Sequence, residues 1–444
     1  MLGRFSLYGF LKNQRYFEPF LYLAFLDKGL SFAMIGLLVA CREGARNLLE
    51  IPSGAIADMW GRRRAMILSF TAYIASFVML GAAERLPLLF CGMALFGVGD
   101  AFRTGTHKAM IFCWLRGQGR LDERTRVYGY TRSWSKIGSA VSVVVAAGLV
   151  LATGSYAYVF YGCIPAYVVG VVNFLGYPRE LDGDCERCAS PKRVFAHLCE
   201  AFSAIFRRRG LRRLVLESMG FGGIFEAAKD YLQPVLKVVA VAVVAGAVVG
   251  LGILGEDEVE ALGDARRAAL LVGPVFVVLH LLSALASRRA HGFVELMGDE
   301  ARAARALWVL SFMCFAMIAI SAFYDSGSGS AASAVTIGGF VFLYIIQNFW
   351  RPVLVSRVDR QSAESHRATV LSIESQAKSV ATMVAAPLLG LAVDYIQKRD
   401  PAVGFWPVGV LGAAVALVFL VTARRGAEGP AAGEAKVDEE PVDD

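Results

Sequence analysis

Gly54-Ala-Ile-Ala-Asp58-Met-Trp-Gly61-Arg62-Arg63-Arg64 separates two apolar blocks, 34–57 and 65–83. A helix rises about 1.5 Å per residue, so about 20 residues cross a hydrocarbon core of about 30 Å. Each block is long enough to cross. Between them an acid, two glycines and three consecutive arginines read as a tight polar turn at a membrane surface. The same alternation runs outward in both directions. Apolar blocks bounded by charged or Gly/Pro breaks lie at roughly 15–33, 34–57, 65–83, 87–114, 126–151, 156–177, 214–240, 266–287, 305–323, 334–356, 368–396 and 402–423. The expected fold is an all-α membrane protein with twelve spans. Composition agrees, since 56% of the 444 residues are hydrophobic and 19% charged, against roughly a quarter charged in soluble domains.

The net charge of +7 could suggest a nucleic-acid partner, but its distribution points to topology. With twelve spans, 29 Lys and Arg fall on the side of the N-terminus and six on the other, Lys28, Arg85, Arg266, Arg267, Lys398 and Arg399. Cations gather on the cytoplasmic side of membrane proteins. Both termini are therefore expected in the cytoplasm of a multi-pass protein of the cell membrane. Val238–Gly255 continues the apolar run of span 7, but counting it as a thirteenth crossing would throw seven loop cations outward. It reads instead as a long end of span 7 or a re-entrant piece.

The longest loop, 179–213, divides the chain into an N-terminal half, 1–178, and a C-terminal half, 214–424. Its stretch Val194–Phe206 is amphipathic and runs into Arg207-Arg-Arg209, which suits a helix lying at the inner membrane surface. Residues 425–444 read as a disordered acidic tail, and Ser326–Ser330 as a flexible loop. Met1–Arg15 has no small-residue cleavage site, so the first span should direct insertion itself. Of the eight cysteines, Cys41, Cys91, Cys113, Cys163 and Cys314 lie in apolar stretches, where a free thiol packs as a small hydrophobe. Cys185, Cys188, His197 and Cys199 could be arranged around zinc, but the spacing matches no common module, and no metal or other cofactor is expected.

The second half echoes the first. Asp100-Ala-Phe-Arg103 in span 4 corresponds to Asn348-Phe-Trp-Arg351 in span 10. Arg132-x3-Lys136 in span 5 corresponds to Glu374-x3-Lys378 in span 11, and Gly148 to Gly390 at the same offset. Two parallel six-helix repeats are an arrangement found in transporters.

The opening stretch resembles the G-x3-D-(R/K)-x-G-(R/K)-(R/K) signature of the major facilitator superfamily (MFS), at its usual place between spans 2 and 3, with Met59 replacing a basic residue. The resemblance covers about residues 10–424. It implies two pseudo-symmetric six-helix halves and a gating role for Gly54, Asp58, Gly61, Arg62 and Arg63, with Asp58 latching the halves on the cytoplasmic side. Physically, the glycines permit a tight turn and close helix packing. The family's second signature, R-x2-Q-G-x-G-x-A, is altered here to Met93-Ala-Leu-Phe96-Gly97-Val-Gly99-Asp100-Ala101. The G-P-x2-G-G run of drug–proton antiporters is missing from span 5, so drug efflux, an alternative within the family, lacks its motif.

Chemistry must reside in the charges inside the spans: Arg42, Arg46, Arg103, Lys108, Arg132, Lys136, Lys229, Lys237, Arg351 and Lys378, faced by Glu43, Glu50, Asp100, Glu226, Asp230 and Glu374. A central Arg or Lys costs roughly 2.5–3.5 kcal/mol on insertion scales, so ten facing lipid would cost roughly 25–35 kcal/mol. Most must face the bundle interior. Asp100, Arg103, Glu226, Asp230, Asn348, Arg351, Glu374 and Lys378 are the candidates for a substrate and proton pathway. Lys108, Arg132 and Lys136 lie nearer the cytoplasmic end, where snorkelling or gating suits them. His280 and Trp350 read as packing residues, and Trp114, Trp134, Trp308 and Trp406 as interfacial anchors.

There is no G-x4-G-K-(S/T) loop, which argues against ATP-driven pumping. The expected function is a secondary active transporter moving a small polar or ionic solute by alternating access, coupled to protons, as a monomer within the lipid bilayer. The different-class alternative is a membrane sensor or enzyme on a transporter scaffold. It lacks a D-D-x2-D run, a nucleophile–base set and an appended folded domain.

Overall fold

The computed structural model describes residues 1–182, 209–244, 262–325, 331–361, 367–399 and 404–423, and contains no strand among them. In the N-terminal half, α1 (Leu2–Leu11) and α2 (Leu21–Asp27) form the first crossing. It is followed by α3 (Phe32–Trp60), α4 (Arg62–Ala82), α5 (Leu86–Arg103) continued by α6 (Thr106–Gly117), α7 (Arg124–Thr153) and α8 (Ala157–Leu175). In the C-terminal half, α9 (Arg209–Ser218), α10 (Ile224–Ala228) and α11 (Leu232–Val239) form one interrupted crossing. Then come α12 (Asp264–Met297), α13 (Glu300–Phe323), α14 (Ala331–Gln361), α15 (Arg367–Gln397) and α16 (Trp406–Ala423). These make six crossings in each half. Large aliphatic side chains such as Leu37, Val144, Val172, Ile320 and Val418 are exposed, forming the surface that lipid covers.

Eight segments are long and apolar enough to cross on composition alone, and the last helix is apolar but shorter. The other three miss for physical reasons. The first and seventh crossings are broken, and α3 carries Arg42, Glu43, Arg46, Glu50 and Asp58.

The first crossing begins at Leu2, not at residue 15. Lys12–Phe17 is a loop, but one folded into the bundle. Pro19 lacks an N–H donor and opens a short 3-10 turn, Glu18–Phe20, behind it. Backbone left unpaired at membrane depth must be satisfied by protein. The Lys12 carbonyl accepts from the Tyr167 hydroxyl at 3.0 Å and the Arg15 N–H donates to Ser142 Oγ at 3.1 Å. Asn13 and Gln14 donate to the α7 carbonyls of Ser135 and Gly138. Arg15 therefore leaves the cytoplasmic tally of cations, and the asymmetry remains large without it. The seventh crossing breaks twice, at a π turn, Met219–Gly223, and at a 3-10 turn, Lys229–Tyr231.

The halves meet through α3 against α15, α7 against α12, and α2 against α11. A Cβ on Gly36 would lie 2.4 Å from the Ala386 carbonyl oxygen, and one on Gly390 2.2 Å from that of Phe32; glycine lets the two backbones touch. Asp394 accepts from the Phe32 and Ala33 N–H groups at 2.9 and 2.8 Å, tying α15 to the start of α3. Arg266 donates to the Leu151 carbonyl at 2.9 Å. These contacts lie at the end of the bundle away from residue 1 and Ala423, so the protein is closed at that far end.

Trp308 is no interfacial anchor. It is buried, stacked on Phe419 with ring centroids 4.6 Å apart. Trp350 packs as expected, stacked on Phe221 at 4.2 Å. A Cβ added at Gly54 would meet no atom within 4 Å, so close packing does not explain this glycine. The amphipathic stretch 194–206, the cysteine–histidine cluster at 185–199, residues 245–255, the loop 326–330 and the tail 425–444 lie outside the described residues.

Candidate solute pathway

Both broken crossings open beside one central cavity of about 210 Å³. Asn13, Arg15, Phe17 and Glu18 line it from the first break, and Lys229 and Asp230 from the seventh. Arg42, Phe96, Ser139 and Ser142 complete the N-terminal wall; Phe276, His280 and Tyr344 complete the C-terminal one. His280 Nδ1 is hydrogen-bonded to the Phe276 carbonyl on its own helix at 2.8 Å, so the ring is satisfied as expected and also borders the cavity.

Each cation in the wall has an acid behind it. Arg15 contacts Asp100 and Glu18, both at 3.1 Å. Asp100 in turn accepts from Arg103 at 2.8 Å and from the Tyr73 hydroxyl at 2.5 Å. Arg42 pairs with Glu43 at 2.9 Å, and the Ser379 hydroxyl of the opposite half donates to the same carboxylate. Lys229 pairs with Glu226 at 2.9 Å, and Lys378 lies 4.0 Å from that acid.

A second cavity, of about 250 Å³, lies within the C-terminal half and is lined by Ser218, Gln347, Trp350, Arg351, Glu374 and Lys378 among others. Glu374 is 1% exposed and pairs with Arg351 at 2.5 Å, while the Ser218 hydroxyl donates to its other oxygen. Asn348 accepts from the Ser287 hydroxyl at 3.2 Å. Of the eight pathway candidates, Asp230 thus lines the central cavity; Arg351, Glu374 and Lys378 line the second. Glu226 joins Lys229 to Lys378. Asp100 and Arg103 stand behind Arg15, and Asn348 faces α12.

The turn between α3 and α4 is built around Gly61, whose φ of 98° is a conformation side-chain-bearing residues rarely adopt. Asp58 pairs with Arg62 at 3.2 Å and is 59% exposed. The Arg63 N–H donates to Asp182 at 2.7 Å and its guanidinium to the Tyr177 carbonyl at 3.1 Å. The start of the linker therefore caps α4 through Asp182.

The sequence matches the family model for the Major Facilitator Superfamily over residues 5–360. The chain belongs to this superfamily. Among solved structures, the nucleoside transporter NupG superimposes with a TM-score of 0.72 at 13% identity, covering 96% of this chain and 98% of that one. A POT family transporter in complex with a thioalcohol-conjugated peptide gives 0.65 at 15% identity, covering 96% of each. A bacterial homolog of the human lysosomal transporter Spinster, inward-facing and unoccupied, gives 0.65 at 14%, covering 95% and 94%. A comparison with curated proteins gives no match. This MFS chain is a multi-pass membrane transporter of a small-molecule solute, not an enzyme.

Several residues of this MFS interior escaped the sequence reading. Arg15 looked like an N-terminal loop cation. Gln233, Tyr73 and Tyr344 carry no charge to mark them inside an apolar span. Glu217, 4% exposed between Arg213 at 2.8 Å and Arg357 at 2.5 Å, lay next to a linker rich in arginine. Asp182, an acid in that basic linker, carried a faint signal.

Proposed function

We propose that the protein is a secondary active transporter that moves a small polar or ionic solute by alternating access, coupled to protons. It acts as a monomer in the cytoplasmic membrane with both termini inside. The observation that carries this reading is the central cavity, lined from both halves by Arg15, Arg42, Lys229, Glu18 and Asp230. At about 210 Å³ it is smaller than the roughly 300–1,000 Å³ of drug-sized sites, which favours a small solute over a bulky lipophilic one. Glu226, Arg351, Glu374 and Lys378 would extend the pathway through the second cavity, and Asp58 would latch the halves when the terminal end closes. The halves are residues 1–178 and 214–424, joined by 179–213. Nucleosides and peptides, the cargoes named for the neighbouring structures, are polar as well; at 13–15% identity those structures lend the fold and not the cargo.

Metabolite profiling of a deletion strain against its parent would nominate the solute. Uptake of that solute into vesicles should then follow an imposed pH gradient and collapse with a protonophore. Uptake indifferent to the gradient would reject proton coupling, and a change confined to lipophilic compounds would reject the polar solute.

A further inference from the structure

Asp230 differs from every other acid around the central cavity. Glu18, Glu43, Asp100 and Glu226 each pair with an Arg or Lys, whereas Asp230 forms no ion pair among the described residues. Its hydrogen-bond partner is Gln233 Nε2, at 3.3 Å. Gln233 is fully buried, and the same nitrogen also donates to the Glu18 carbonyl at 2.9 Å, while Oε1 accepts from the Tyr22 N–H at 2.8 Å. One amide therefore ties the break in the first crossing to the break in the seventh, on the far side of the cavity, with Asp230 as its third ligand.

We propose that Asp230 is the proton site of the transport cycle and that Gln233 converts its charge into the hold of the far gate. The inference rests on the proton-coupled reading above. With Asp230 ionised, the Gln233 amide is anchored by a charge-assisted bond and holds Glu18 and Tyr22 in register. A proton on Asp230 neutralises that acceptor, and bonds to neutral acceptors are about half as strong. The amide then loosens and the far end opens more readily. By linkage, opening the far end raises the affinity of Asp230 for a proton, so the site loads from that side. The groups facing Asp230 are Arg15 and Glu18 from the first break, Tyr22 from α2 and Arg42 from α3. Glu226 and Lys229 face it from its own crossing, His280 from α12, Tyr344 from α14 and, beyond Glu226, Lys378 from α15. Lys229 and Lys378 are drawn toward Glu226, which leaves Asp230 exposed to the cavity.

The test is hydrogen–deuterium exchange of the full-length protein in nanodiscs at about pH 5 and about pH 9, between which a carboxylate buried in low dielectric titrates. Rates are corrected for intrinsic exchange. In the wild type, Leu21–Asp27 should exchange roughly tenfold faster at the lower pH, the effect of exchanging a charge-assisted bond for a neutral one. Asp230→Asn and Gln233→Leu should exchange at the fast level at both pH values. Asp230→Glu, which keeps a titrating acid, should retain the dependence and guards against misfolding of the other two; unchanged protection of α4 confirms the fold in each. A pH-independent wild type, or wild-type pH dependence in Asp230→Asn, overturns the proposal. The transport arm separates the two levels. Uptake that ignores the pH gradient in the wild type rejects proton coupling itself. Uptake that follows the gradient equally in Asp230→Asn keeps coupling and rejects Asp230 as its site.

Discussion

Arg15 stands where the first crossing opens, held at 3.1 Å by both Asp100 and Glu18, and its Nε is buried without a hydrogen-bond partner among the described residues. A guanidinium presents five donors in a rigid fork, whereas an ammonium is a compact point charge. Arg15→Lys should therefore keep the protein folded, since Asp100 retains a cation, yet raise the KM for solute at least roughly tenfold, as loss of one charge-assisted donor costs about 1.5–3 kcal/mol. Arg15→Leu should be worse in another way. It strips one of two cations from a buried carboxylate that keeps Arg103, which costs about 1.5–3 kcal/mol and should appear as a lower melting temperature in detergent. Equal KM in wild type and Arg15→Lys would leave Arg15 a purely structural bridge. This residue also shows where sequence reading stops. Asp100 and Arg103 were legible because i, i+3 spacing on a helix puts them on one face, and they do pair. Arg15 was not, because Lys12, Asn13, Gln14 and Arg15 are as polar as a surface loop; their burial depends on Ser135, Gly138, Ser142 and Tyr167, more than a hundred residues away.

At the scale of elements, the crossing of α3 over α15 decides how closely the far end shuts. The carbonyl of Phe32 would lie 2.2 Å from a Cβ on Gly390, a contact that only a backbone shift can relieve. Gly390→Val should wedge the halves apart at that end and favour the far-open state. A thiol-reactive probe applied from the far side should then label a cysteine placed at Ala33 faster than in the otherwise identical Gly390 protein; equal labelling would mean that α15 moves as a unit without this contact. Most crossings and their approximate bounds were readable from hydropathy, because twenty apolar residues have few alternatives, while the count of twelve also needed the distribution of cations. The interruptions were not. The π turn at Met219–Gly223 lies where Gly222 and Gly223 pack against α15 and Gly220 against Phe419 of α16, and an apolar-length criterion averages over such positions, as it does over Pro19.

Across the whole molecule, two packed halves that touch at one end imply a second arrangement in which they touch at the other. The proposed orientation of that cycle rests on the distribution of cations. Cytoplasm-active reporters inserted at Gln118 and Gly298 should work, and those inserted at Ser155 and Lys398 should not. Because α11 runs out toward the same end at which α12 begins, signals of opposite sign at Gln118 and Gly298 would overturn the twelve-crossing count. Asp58 tests the motion itself. It sits at the terminal end, 59% exposed, bonded to Arg62 one turn along the chain, an exposed pair whose contribution to stability is about 0–1 kcal/mol. The far-closed arrangement therefore asks little of Asp58. In the proposed latch, its carboxylate would become valuable only when the terminal end closes and the turn around Gly61 meets the opposite half. Asp58→Asn keeps the shape and removes the charge, so it should leave the melting temperature and membrane abundance within error of wild type. It should also bias the protein toward the far-closed state and lower the maximal transport rate at least roughly fivefold, the effect of about 1 kcal/mol on the closing equilibrium. Distances measured between spin labels across the terminal end would report that bias directly. A wild-type distance distribution together with a wild-type rate would reduce the acid to a marker of topology.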